Sequence, residues 1–130
     1  MALNKFDILK VRDLKKILVD VPELQEGGQV WIQEMDAAAR DRFDEWVVNN
    51  KDRKGMRARI IIETAVDDDG KLMFSDLDIP DLLKKPSKLI IRLADAGMEI
   101  SGMNEDSKVE TVKNSEADLK EDLPSASVVN

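Results

Sequence analysis

The chain has 130 residues, 42% of them hydrophobic and 36% charged, with a net charge of −7 and a pI near 4.7. That length is one domain's worth of sequence, and the acidic balance argues against nucleic acid or an anionic membrane as partner. Histidine and cysteine are both absent. This removes the commonest general base, thiolate nucleophiles and structural zinc, so the chain is expected to be neither an enzyme nor a holder of a cofactor.

The opening residues, MALNKFDILKVRDLKK, contain no apolar run of signal-peptide type, and Ile60–Ile62 is far too short to span a bilayer. A soluble, intracellular protein is expected. In chain order, residues 1–13 allow a short helix with Asn4 as N-cap and Phe6 and Leu9 on one side. Residues 14–35 read as a β-hairpin. Ile17, Val19 and Val21 alternate with Leu18 and Asp20, Pro22 ends the run, Glu26-Gly27-Gly28 turns, and Val30-Trp31-Ile32-Gln33 alternates again.

Residues 36–50 give the clearest helix: Asp36 caps it, and Ala39, Phe43, Trp46, Val47 and Asn50 fall at helical spacing. Residues 54–66 fit either a strand, by the β-branched Ile60–Ile62 run, or a helix after Gly55; the width of the apolar arc and the segment's length favour the helix. Asp67-Asp68-Asp69-Gly70-Lys71 is a turn, and Leu72-Met73-Phe74 has the make-up of a short strand. Ser75 and Asp78 are cap or turn residues before an amphipathic stretch with Ile79, Leu82 and Leu83. Pro86 opens a second long helix with Leu89, Ile90, Leu93, Ala96, Gly97 and Ile100 on its apolar face and Gly102 as its stop.

The fold class expected is α+β: an N-terminal β-hairpin packed on a small helical bundle of two main helices plus short ones, all within residues 1–103. Residues 104–130 carry seven acids against three bases, −4 of the chain's −7, and few apolar side chains. They read as an acidic, mostly disordered tail, leaving the body near −3.

Most candidate constellations have a plainer explanation. In EF-hand register, with Gly70 at the sixth position, Asp67 and Asp69 occupy ligand positions. The first position is then Ala65, and the twelfth is Asp76 instead of a bidentate Glu, so no metal site is expected. The basic run Lys51, Arg53, Lys54, Arg57 and Arg59 has no interleaved aromatic. It reads as a charged inter-helix connection able to meet the acidic tail or an acidic partner. Trp31, on a strand, and Ile90, Leu93 and Met98, on the second long helix, are the candidates for a partner-binding surface; ordinary core packing competes for each.

Three segments carry a resemblance: DLKKILVDVPELQEGGQVWIQEM; DAAARDRFDEWVV with RARIIIETAVDDDGKLMF; and SDLDIPDLLKKPSKLIIRLADAGMEISGM followed by KNSEADLKED. In order and spacing, the chain resembles the tail assembly chaperones of long-tailed bacteriophages. The resemblance implies a protein of the host bacterial cytoplasm that is absent from the mature virion. It implies binding to the tape-measure protein, keeping it soluble for tail-tube assembly, with the tail-tube protein a further partner and self-association into a homo-oligomer common. The family has no fixed active-site residues, so none is carried over. The competing reading is a small structural subunit of the phage tail or head–tail connector.

Overall fold

In the computed structural model, which describes residues 1–10 and 13–103, the body is α+β: a three-stranded antiparallel sheet and five helices. The tail expected over 104–130 lies outside the described residues. Helix α1 (Lys5–Leu9) is closed by a capping box, in which Asn4 Oδ1 accepts from the Asp7 amide and the Asp7 carboxylate accepts from the Asn4 amide. It buries no residue, and Phe6, Ile8 and Leu9 all face solvent.

The hairpin joins β1 (Lys16–Asp20) to β2 (Gln29–Gln33), with Leu18 opposite Trp31 and Val19 opposite Val30. Its loop is longer than a tight turn: the Val21 amide donates to the Gly28 carbonyl, and Gly27 takes a left-handed φ of 78°. Val21 is buried beneath it.

Helix α2 (Ala37–Asn49) starts where Asp36 Oδ1 accepts from the Ala39 amide at 2.8 Å. Phe43 is buried, and Trp46, on the same helical line, is half-buried and stacked on Phe43 with ring centroids 6.4 Å apart.

Helix α3 (Met56–Thr64) is the centre of the molecule, with every residue from Ala58 to Thr64 buried. The ambiguous segment is thus a helix for most of its length. β-branched residues each cost a helix about half a kcal/mol relative to Ala. Burying an isoleucine side chain returns about 2 kcal/mol, so for Ile60–Ile62 burial outweighs propensity.

Two expectations need correction here. The last two residues of the segment leave the helix as β3 (Ala65–Val66), which pairs with β2, so the sheet has three strands and not two. Leu72-Met73-Phe74 forms no strand; only Leu72 makes an isolated bridge, to Val66.

Ser75 and Asp78 form a second capping box around the 3-10 turn Asp76–Asp78, which runs into α4 (Ile79–Leu82). Helix α5 (Ser87–Ile100) follows, with Pro86 just before its first residue. It ends in a Schellman motif: the Met103 amide donates to the Met98 carbonyl at 2.7 Å and the Gly102 amide to Glu99, with Gly102 at φ 73°.

Helix α5 packs on α3 and on the inner sheet face, where Ile32 and Ala65 are wholly buried with Leu89, Leu93 and Ala94. Two polar ties fix it to the sheet. Arg92 grips the Glu23 carboxylate with both terminal nitrogens and donates to the Asp20 carbonyl, and Ser101 Oγ accepts from the Met35 amide.

The closest approach is at Gly97. A Cβ there would lie 2.7 Å from Thr64 Oγ1 and 2.9 Å from Ile60 Cγ2, and the Thr64 hydroxyl is held by donation to the Ile60 carbonyl. Gly97→Ala is expected to lower unfolding free energy by about 2 kcal/mol through overpacking, read from urea denaturation.

The Arg92 grip holds the Glu23 carboxyl down at about 2, below its ordinary 4.5. A depressed carboxyl stabilises the fold above its unfolded pKa, and that contribution is lost as pH falls through the folded one. Glu23→Gln is therefore expected to lower the urea midpoint at neutral pH, with the gap to the parent chain closing between 4.5 and about 2.

Candidate functional site

The residues singled out from the sequence are distributed over three environments. Leu93 is in the core. Ile90 is buried in the same core cluster, and at its margin it lines, with half-buried Met98, a cleft of about 770 Å³ between the α2–α3 connection and α4–α5. Trp31 lies on the outer face of the sheet, away from the layer of α5.

The cleft's apolar floor is Met56, Leu82, Leu83, Ile90, Ile91 and Met98. Ile91 and Leu83 keep substantial exposure, the latter at 56%. Arg53, Lys54, Arg57 and Lys85 supply cations along its lining, against Asp52 and Asp95. No ion pair forms at any of these four among the described residues.

The connection that presents the bases is tightly wound. The Arg53 amide donates to the Asn50 carbonyl, the Met56 amide to the Arg53 carbonyl, and the Lys54 amide to Asp52 Oδ1. Arg53 takes φ 60° and Gly55 φ 81°. For Arg53, the left-handed region costs about 1 kcal/mol, whereas Gly55 adopts it freely.

Helices α3 and α5 both begin at this cleft, through Gly55 and Met56 and through Ser87, and neither start has a side-chain cap. Their positive dipole ends add to the field of the four cations. The arrangement can bind an extended or helical segment that offers apolar side chains to the floor and carboxylates to the lining. Sequence reasoning found Arg53, Lys54 and Arg57 and two floor residues, but not Lys85. It missed Met56, Leu82 and Leu83 as parts of one surface, because only folding joins residues 52–57 to 82–98.

The fifth base of the run behaves differently. Arg59 turns inward to buried Glu63, with Nη1 to Oε2 at 3.5 Å, and reaches Asp76 at 3.1 Å. Arg42 closes on the same carboxylate, with Nη2 to Oε1 at 2.8 Å and Nε contacting both oxygens. Hydrogen bonding to Glu63 raises the already high Arg42 pKa. Arg59 Nε is buried without a hydrogen-bond partner among the described residues.

On the outer sheet face, pairing aligns Leu18, Trp31, Val66 and Leu72 in one row across the strands. Trp31 is half-buried; its Nε1–H donates to Asp68 Oδ1 at 3.1 Å, and Lys16 Nζ sits 4.4 Å from its ring centroid. Strand β1 lies at one edge of the sheet, so among the described residues alternate amides and carbonyls along it have no strand partner. The acidic loop that follows β3 is self-contained: Asp67 Oδ1 accepts from the Asp69 and Lys71 amides, bonds that hold its carboxyl below the ordinary value. No group of three or more side chains able to hold a metal occurs among the described residues. No helix among them is long and apolar enough to cross a membrane.

No protein-family model matches the chain, and no curated protein does. Among solved structures, one described as the bacteriophage HK97 tail assembly chaperone is similar, with 22% identity and a TM-score of 0.47. The match covers 70% of this chain and 91% of that one.

The Glu63 network yields a test of what holds the α2–α3 pair. Glu63→Gln is expected to cost about 3 kcal/mol, because it removes the buried counter-charge of Arg59 and leaves that guanidinium only the exposed Asp76 carboxylate. Asp44→Asn, which breaks the exposed Arg40–Asp44 pair, is expected to cost at most about 0.5 kcal/mol. Urea denaturation of both variants reads the contrast.

Proposed function

We propose that this chain is a tail assembly chaperone of a long-tailed bacteriophage, binding the tape-measure protein and keeping it soluble while the tail tube assembles. The observation that carries the reading is the open cleft, with its apolar floor and cationic lining, in a chain whose successive segments resemble that family throughout the body. A chaperone for a long helical client needs an apolar surface that accepts helix faces without being consumed by its own core. Ile91, Leu83 and Met98 supply one. It also needs enough like charge to keep the complex dispersed, and the chain's net −7 serves that end.

In this reading the protein works by binding alone, in the host bacterial cytoplasm, and is left behind when the virion matures. The tail-tube protein is a second partner, and copies of the chain associate with one another.

Co-expression is the direct test. The tape-measure protein from the same gene cluster is expected in the soluble fraction with this chain and in the pellet without it. Equal partition in both cases defeats the proposal.

A second reading, a small structural subunit of the tail or head–tail connector, draws on one observation: the open edge of β1 beside the apolar row Leu18, Trp31 and Leu72, which suits lateral assembly. Mass spectrometry of purified virions separates the two, since a stoichiometric copy in the particle belongs to the structural subunit alone.

A further inference from the structure

We propose that the acidic segment 104–130 of this same chain docks in the cleft between the α2–α3 connection and α4–α5, covering its apolar floor when no client is bound. Three observations bear on it. The first is charge. The cleft offers Arg53, Lys54, Arg57 and Lys85 against Asp52 and Asp95, reinforced by the uncapped starts of α3 and α5. The segment brings seven acids and three bases. Attraction between the two is favoured in a chain whose overall charge otherwise repels acidic partners.

The second is position. The Schellman motif ties the Met103 amide to the Met98 carbonyl, and Met98 lines the cleft. The segment therefore leaves the body beside the cleft. From Met98 back to Ser87, the cleft-facing side of α5 runs about 16 Å at 1.5 Å per residue. Five extended residues cover that distance at about 3.3 Å each, so Glu110, seven residues beyond Met103, reaches the far end beside Lys85, while Glu105 and Asp106 fall nearer the Met98 end. Tethering places the acids at an effective concentration in the millimolar range, where even a weak contact is populated.

The third is composition. Val109, Val112, Leu119 and Leu123 are interspersed among the acids, giving the segment apolar side chains for Ile91, Leu83 and Met98. The docking stands apart from the chaperone reading. Its consequence, that a client must displace the segment to bind, rests on that reading.

The chain has no cysteine, so a single one reports without interference. The experiment places a nitroxide on Ser115→Cys in the full ¹⁵N-labelled chain and reads paramagnetic broadening of the backbone amides. Docking is expected to broaden Gly55, Arg57 and Ile91 while leaving Trp31 and Gly70 sharp. The broadening is expected to be lost in ~1 M salt, where the screening length falls to about 3 Å, and in the double variant Lys54→Glu, Arg57→Glu. Both substituted side chains are exposed, and the remaining amide spectrum reports that the body stays folded.

Cleft amides that stay sharp, or broadening indifferent to charge reversal, overturn the proposal. So does equal broadening when spin-labelled unlabelled-nitrogen protein is mixed with ¹⁵N protein lacking the nitroxide, which would make a second copy the occupant. No tape-measure protein is present, so failure of the co-expression test and failure of this one remain distinguishable.

Discussion

The contact at Gly97 sets the spacing on which the rest of the molecule depends. From Ala58 to Thr64 helix α3 is buried, and α5 is its largest neighbour. With hydrogen alone at Gly97, the α5 backbone lies against Thr64 and Ile60. Thr64 leads directly into β3, and β3 pairs with β2, so the depth at which α5 sits also fixes how the sheet meets the helices. The cleft inherits the same constraint. Met56 and Arg57 come from α3, while Ile90, Ile91, Asp95 and Met98 come from α5. Its opposing sides are two helices whose separation is decided elsewhere, in a dry contact with little room to adjust.

Charge is divided by depth. The run from Lys51 to Arg59 is uniform in sequence, but folding splits it. Arg53, Lys54 and Arg57 face the cleft, while Arg59 enters the interior to meet Glu63 and Asp76. Desolvating Arg59 and Glu63 is costly, and the remedy is a shared carboxylate: Arg42 and Arg59 both lean on Glu63. The neighbouring bases stay solvated and retain their field for a partner. One short stretch thus contributes both to the join between α2 and α3 and to a cationic surface on an acidic protein.

What the sequence made legible follows the range of the physics involved. Asn4, Asp36 and Ser75 act within a few residues of themselves, and each caps the element expected of it. Gly102 likewise stops α5 through bonds that span one turn. The Ile60–Ile62 run was ambiguous because propensity and burial pull in opposite directions, and burial is a property of the whole fold. Ala65 and Val66 carry no alternating signal at all; Trp31 and Ile32 opposite them make them a strand. The candidate surface shows the same limit. Ile90, Leu93 and Met98 share one helix, but the shape of the neighbouring elements buries Leu93 and Ile90 in the core, Ile90 at the cleft's margin, and leaves Met98 half-exposed. Trp31, far along the chain, belongs to another surface altogether.

The two tryptophans sit in different layers. Trp31 is held on the sheet's outer face between Lys16 and Asp68, and Trp46 stacks on Phe43 beneath α2. With no tyrosine in the chain, ultraviolet emission comes from these two rings alone. One is polarised by an ammonium and a carboxylate, and the other is shielded by an aromatic neighbour. The protein therefore carries a two-channel optical probe of its own, able to report whether sheet and helices come apart together or in turn.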